Sequence, residues 1–249
     1  MAIWSFRRKR DNIMGKVTKY KARICVHGGM QYKGINYWET YAPVVQWMSV
    51  RIMLTQVAIE HLNTKSIDFV LAYPQANLDM DIYMKLLQGF NVGPESGRYV
   101  LKLQKNLYGL KQAGHNWFKK ISGALGTLSI NPRKVDPCVF IGEDVIVLVY
   151  VDNCLIFSRD KDKINQLIEK LKNKEKLDLT DEGDVEKYLG VEIDLNKEDK
   201  SITFKQTFLI QRAIELAGLS DSNQVDIPAV KPSLSKDHEV ASRTSSSAY

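Results

Sequence analysis

Val145 to Ser158 reads VIVLVYVDNCLIFS. Seven apolar residues run into Asp152-Asn153, and five residues, CLIFS, carry the chain away. A run this apolar cannot alternate in and out of water, so it predicts two strands covered on at least one face. Asp-Asn between them is good turn chemistry, because short polar side chains tolerate positive φ and bond to nearby backbone. A turn alone would account for the pair. A carboxylate at the tip of two buried strands is also a rigid mount of the kind that metal-dependent phosphoryl transfer needs. That chemistry requires a second carboxylate from elsewhere in the chain.

Ser66 to Gln75, SIDFVLAYPQ, offers one. Asp68 lies between Ile67 and Phe69 in a strand-like stretch that Pro74 stops. An acid there is expensive to bury unless it is paired, hydrogen-bonded or metal-bound, although a strand-end acid in solvent would explain it equally well. Other elements follow by pattern. Tyr20 to His27 reads as a strand with Lys21, Arg23 and Cys25 on one side, ended by Gly28-Gly29, and Gly34 to Pro43 is an aromatic-rich loop. Trp47 to Leu62 reads as a buried helix, apolar around much of its surface. Ile82 to Lys85 and Tyr99 to Leu103 are short strands, and NLYGLKQ (Asn106 to Gln112) is a glycine-centred turn into a helix through Trp117, Ile121 and Leu125. Asp160 to Lys176 is an amphipathic helix, Tyr188 to Leu195 a strand paired with Ile202 to Phe204, and Thr207 to Ala217 a helix closed by Gly218. Strands and helices alternate too irregularly for a doubly wound sheet, so the class is α+β. From Val230 on periodicity disappears, and 230–249 is expected to be a disordered tail or a truncated connection.

The chain has 249 residues, 44% of them hydrophobic, enough to bury a full core. A net charge of +6 favours an anionic partner, and Arg7 to Arg23 carries eight cations against Asp11 alone. Three isolated cysteines exclude a disulfide framework and a paired-cysteine metal site. No apolar span is long enough to cross a membrane, and the start lacks the apolar stretch of a signal peptide. These features predict a soluble intracellular protein, cytoplasmic and without membrane contact. RRKR (Arg7 to Arg10) reads either as a solvated basic loop or as a nuclear address.

YKARICVHGG, NYWETYAPVVQWMSVR, SIDFVLAYPQA, IYMK, LYGLKQA, YVDN and YLGVEI occur in this order. No one motif is specific, but the series resembles the reverse transcriptase domain of copia-type retrotransposons, over about Trp4 to Pro228. The resemblance implies a right-hand polymerase occupying residues 1–229, with fingers, an antiparallel palm backed by helices, and a partial thumb or connection. It implies an RNA- and DNA-directed DNA polymerase that joins dNTPs to a primer 3′-hydroxyl. Asp68 and Asp152 match the palm carboxylates that hold two Mg²⁺, about 3.5–4 Å apart, with Mn²⁺ as a possible substitute. Lys21 and Arg23 match the fingers strand facing the triphosphate, and Ala72 and Tyr73 the floor under the incoming sugar, where an aromatic would exclude a 2′-hydroxyl. Tyr108, Gly109 and Gln112 match the turn packed on nucleotide and template, and Tyr188, Leu189 and Gly190 the strand that positions the primer. Integrase and RNase H regions of the same polyprotein, and a virus-like particle, are further implied partners and surroundings.

Two departures matter. The family hairpin reads YVDD, whereas this chain has Asn153 in the last position, a neutral amide in place of a carboxylate, and Gly114 stands where the family usually has Pro. The chain also lacks RNase H and integrase regions, so a fragment of a decaying element is one expectation. Two function classes therefore remain: a working or weakened polymerase, and a non-catalytic nucleic-acid-binding relic with a polymerase fold.

Overall fold

The computed structural model of the chain describes residues 2–10, 16–87, 89–90, 92–93, 96–196 and 198–223. The tail expected over 230–249 lies outside the described residues. Two compact units divide the chain, Met1–Gln206 and Thr207–Tyr249.

The first unit is built on a six-stranded sheet. In chain order its strands are β3 (Asn63–Phe69), β6 (Asn131–Pro132), β7 (Val139–Ile141), β8 (Ile146–Tyr150), β9 (Asn153–Ser158) and β10 (Leu179–Gly183). Their spatial order is β10-β3-β9-β8-β7-β6, with every neighbour antiparallel. The apolar run around Asp152 thus forms β8 and β9, the central hairpin, and both of its faces are covered. Cys154 and Ile156 point into one core with Ile67, Val147 and Val149, covered by α3 (Ala113–Thr127) and α4 (Lys161–Asn173). Leu155 and Phe157 point the other way, into a core with Val50, Leu54 and Val57 of α1 (Trp47–Glu60). Fully burying one such side chain contributes about 1.5–3 kcal/mol, so the hairpin that carries Asp152 is among the most firmly held parts of the molecule.

Local chemistry explains the helices. In α4 the buried residues Ile164, Leu167, Ile168 and Leu171 follow helical spacing, and the Asp160 carboxylate caps the start by accepting from Asp162 N at 2.8 Å. The start of α1 has no side-chain cap of its own. Asp136, ninety residues away and only 3% exposed, supplies it, accepting from Gln46 N at 3.0 Å and Ser49 Oγ at 2.6 Å. Unlike the buried helix its composition suggests, α1 leaves Met48, Ile52 and Ile59 exposed, because only one face meets the sheet.

Smaller sheets flank this layer. β1 (Ala2–Arg10) and β2 (Val17–Val26) form a two-stranded ribbon, so Arg7 to Arg10 belongs to a strand and not to the solvated loop expected from its charge. β4 (Tyr83–Lys85) pairs with β5 (Val100–Lys102). A single strand was expected over Tyr188 to Leu195, but the chain turns back there. β11 (Lys187–Tyr188) and β12 (Val191–Asn196) form a hairpin whose loop, Leu189 and Gly190, has φ +49° and +82°. β13 (Ser201–Lys205) completes that sheet beside β12. The short α2 (Ala72–Gln75) follows β3. In the second unit, α5 (Thr207–Leu216) ends at Gly218 (φ +67°), and Leu219 N–H closes the last turn on Ile214 O at 3.0 Å. Among the described residues, no helix is long and apolar enough to cross a membrane.

Candidate active site

The central hairpin turns one residue earlier than Asp-Asn chemistry suggests. Tyr150 pairs with Asn153, so Val151 and Asp152 form the loop and Asn153 begins β9. The positive φ falls on Val151, at +54°, a conformation that a β-branched residue adopts only under constraint. The constraint is visible. Trp117 Nε1 donates to Val151 O at 2.6 Å, and Phe69 N donates to Asp152 O at 2.8 Å, with the Phe69 and Trp117 rings edge-on at 5.1 Å. The half-buried Asp152 is therefore held by a backbone bond from β3, and the residue before it by a buried indole from α3.

β3 brings Asp68 alongside, paired directly with Asn153. Asn153 Nδ2 donates to Asp152 Oδ1 at 3.1 Å, and Thr180 Oγ1 of β10 donates to the Asp68 carbonyl at 3.3 Å. Asp68 and Asp152 line one open cleft of about 460 Å³ with Lys19, Lys21, Arg23, Tyr108, Leu71 and Thr180. One wall is acidic and the other is the basic edge of β2, an arrangement suited to an anion bridged to the carboxylates by a cation.

The floor is aromatic. Arg23 Cζ lies 5.2 Å from the centre of the Tyr108 ring, and Tyr108 meets Tyr73 at 4.8 Å. Burial, then the Asp152 charge, raises the Tyr73 phenol above its ordinary range. Tyr108 is raised by the same two causes, with Arg23 opposing. The field of Asp152 thus reaches both rings. Tyr108 is set by a close approach to β2: Val26 N donates to Tyr108 O at 2.8 Å, and Gly109 has φ +92°. A Cβ on Gly109 would lie 2.0 Å from Val26 O, so only glycine fits. Ala72 is buried beside Tyr73 at the start of α2, preceded by Leu71 at φ +49°.

The remaining predicted residues lie elsewhere in the unit. Gln112 is fully buried, accepts from Gln31 Nε2 at 2.9 Å and donates to Asn36 O at 2.9 Å, so its side chain ties the aromatic loop to α3. The Tyr188 ring is buried against Trp47, edge-on at 6.3 Å, leaving Leu189 and Gly190 as the outward part of that motif. Lys19 enters the sequence reading only as one of the eight cations of Arg7 to Arg23, and Thr180 not at all. Lys19 could have been found from the alternation Lys19, Lys21, Arg23, whereas Thr180 reaches the cleft only because β10 pairs with β3.

Asp68 and Asp152 are the residues here that could hold a metal. Their oxygens are hard donors in an open cleft, as a small divalent cation prefers. Among the described residues, no cluster of three or more His, Cys, Asp or Glu is arranged for a metal. Position 153, whose side chain bonds to Asp152, carries a neutral amide.

The family described as "Reverse transcriptase (RNA-dependent DNA polymerase)" matches residues 1–231. The Pol polyprotein of transposon TNT 1-94 from Nicotiana tabacum is 33% identical over 232 residues, 90% of this chain and 17% of that protein. The Pol polyprotein of transposon RE1 from Arabidopsis thaliana is 32% identical over 193 residues, covering 76% of this chain and 13% of the relative. The Gag-Pol polyprotein of transposon Ty1-H from Saccharomyces cerevisiae is 27% identical over 177 residues, 69% of this chain and 9% of that protein. The chain thus spans less than a fifth of the length of these relatives.

Proposed function

The chain belongs to the reverse transcriptase (RNA-dependent DNA polymerase) family, and from that premise we propose that its cleft joins deoxynucleotides to a primer 3′-hydroxyl on an RNA or DNA template. The observation that carries this reading is the meeting of Asp68 and Asp152 with Lys19, Lys21 and Arg23 around one cleft. Reverse transcriptases as a family use divalent metal ions. Asp68 and Asp152 would hold them here, with Mg²⁺ the natural occupant of so oxygen-rich a site and Mn²⁺ a substitute. Bound there, the cation supplies charge neutralisation and a more acidic primer hydroxyl.

The chain's own residues do the rest. Arg23 and Lys21 stabilise the charge that grows on the leaving pyrophosphate. Tyr73, on the buried Ala72, stands under the sugar and excludes a 2′-hydroxyl, while Tyr108 and Gly109 form the surface against the base pair. The Leu189-Gly190 turn, on the Tyr188 anchor, steadies the primer end. The template is held by its backbone and shape, since copying cannot depend on base identity. We take residues 1–229 as the polymerase domain, working beside integrase and RNase H regions in a polyprotein, inside a cytoplasmic particle.

A second reading has its own observation. Asn153 removes a negative charge and also occupies an Asp152 oxygen, which favours a weakened polymerase or a binding relic. Primer extension on poly(rA)·oligo(dT), with Mg²⁺ and with Mn²⁺, separates the two. Extension that disappears in Asp152→Asn supports the polymerase. Duplex binding without extension by the natural chain or by Asn153→Asp supports the relic.

A further inference from the structure

We infer that Tyr108 is a positioning residue for Arg23: its ring holds the guanidinium at the cleft that Asp68 and Asp152 also line before any ligand arrives. The inference rests on the nucleotide reading of the cleft and adds to it a reason why one cation of the basic wall is aimed.

Arg23 is exposed on a two-stranded ribbon, where a long side chain would otherwise sample many rotamers. Its surroundings on that face are cationic. Lys21 and Lys19 follow at alternate positions of β2, and Arg7 of β1 stands directly opposite Lys21. Repulsion alone would disperse such a face into solvent. Instead the guanidinium lies 5.2 Å from the Tyr108 ring centre, within cation–π range.

The ring itself is immobilised by three features. Its carbonyl accepts from Val26 N, three residues beyond Arg23 on the same strand. Gly28 and Gly109 let the two backbones meet, for a Cβ on Gly28 would lie 2.2 Å from Gly109 O. Tyr73 supports the ring at 4.8 Å. Main-chain contacts therefore fix the Tyr108 segment against β2, which places the ring within reach of the Arg23 guanidinium. A pre-aimed guanidinium loses less freedom when it meets an anion, so ordering by Tyr108 raises affinity without Tyr108 touching the anion.

The test uses the full chain with Tyr108→Leu, Tyr108→Phe, Arg23→Gln and the double variant Tyr108→Leu/Arg23→Gln, each checked for unchanged circular dichroism. The first readout needs no ligand. In NMR of arginine-labelled protein, the Arg23 guanidinium resonance is ring-current shifted in the natural chain and in Tyr108→Phe, and returns to the ordinary position in Tyr108→Leu. The second readout is affinity for inorganic tripolyphosphate. A cation–π contact is worth roughly two- to fivefold at an exposed site and more when desolvated, so Tyr108→Leu weakens binding by about that factor while Tyr108→Phe restores it. The double variant binds no more weakly than Arg23→Gln alone. Additive losses in a chain that binds tripolyphosphate, or an unshifted Arg23 resonance, overturn the positioning role and leave the nucleotide reading intact. A shifted resonance in a chain that does not bind tripolyphosphate overturns the nucleotide reading, and the coupling with it.

Discussion

Asp68 and Asn153 stand directly opposite each other on β3 and β9. Across the hairpin Asn153 pairs with Tyr150, closing a two-residue loop, and Phe69 N bonds to Asp152 O. Those bonds point the Asn153 main-chain groups toward β8, so Asp68 and Asn153 form a pair without mutual backbone bonds, the kind whose side chains lie closest. The amide thus sits where a second carboxylate would face Asp68, and it also donates to Asp152.

Asn153→Asp should therefore act in opposite directions with and without metal. In chelator, it loses the amide donor and crowds three acids, so the melting temperature falls by a few degrees, at about 2–4 °C per kcal/mol for a domain of this size. Mg²⁺ should recover that loss and stabilise the variant more than the natural chain. Extension in Mg²⁺ should rise about a hundred- to a thousandfold, the scale of one strong electrostatic contact in a transition state. Scanning calorimetry with and without Mg²⁺, beside primer extension, checks both. Equal metal stabilisation of the two chains would mean that position 153 does not face the ion.

The β1–β2 ribbon divides its cations differently from the sequence expectation, which grouped Arg7 to Arg10 together. Arg7 shares a face with Lys21 and Arg23, whereas Arg8 lies on the other face with Trp4, Phe6 and Tyr20. Trp4 and Phe6 stack at 5.8 Å, and Phe6 and Tyr20 are about three-quarters exposed. Exposed rings beside a cation suit unpaired bases, each stack being worth about 1–3 kcal/mol. Trp4→Ala should weaken binding of a short oligo(dT) at every salt concentration. Arg8→Gln should weaken it mainly at low salt and reduce the salt slope by about 0.7. Arg7→Gln should act instead on tripolyphosphate affinity. Fluorescence anisotropy at two salt concentrations decides, and equal oligo(dT) losses from all three variants would refute the two-faced division.

Asp136 looks like a candidate acid only because it is buried. Its oxygens accept from Gln46 N, Ser49 Oγ and, at 3.0 Å, Cys138 N, which ties the start of α1 to the segment leading into β7. Asp136→Ala would leave those donors unsatisfied in the interior and should cost about 3–5 kcal/mol. Urea unfolding measures this. A loss below about 1 kcal/mol would show that water replaces the cap.

The parts of the fold legible in the sequence are those whose burial is one-sided or complete. β8 and β9 announce themselves by an unbroken apolar run, and α4 by Ile164, Leu167, Ile168 and Leu171. β1 is hidden because a ribbon wet on both faces needs no apolar alternation, and β10, LTDEG, because it is a short charged edge strand. Val151 and Leu189 defeat turn rules outright, since both hold positive φ without being turn residues. Of the site, the acids and the cations of β2 could be read from their neighbours. The meeting of Arg23 with Tyr108 could not, because it depends on two glycines brought together from distant parts of the chain.

Tyr188 provides the sharpest separation between anchoring and contact. It begins a motif matched to primer positioning, yet its ring is 3% exposed and its hydroxyl has no hydrogen-bond partner among the described residues. A buried hydroxyl without a partner costs about 1–3 kcal/mol in lost hydration, while the ring packs on Trp47 within the core that also holds Leu155 and Phe157. Removing only the oxygen should therefore leave the fold at least as stable. Tyr188→Phe is expected to raise stability by about 1 kcal/mol and to keep primer affinity. Tyr188→Ala should lose about 3–5 kcal/mol through the cavity it opens. The motif would then act on the primer through its outward turn, so Gly190→Ala, strained at φ +82°, should weaken primer binding with little change at the core. Denaturant unfolding and primer-template anisotropy on the three variants distinguish these roles. A Tyr188→Phe chain that is less stable, or that loses primer affinity while Gly190→Ala keeps it, would mean that the hydroxyl has a partner in the working complex and that the core reading of this side chain is wrong.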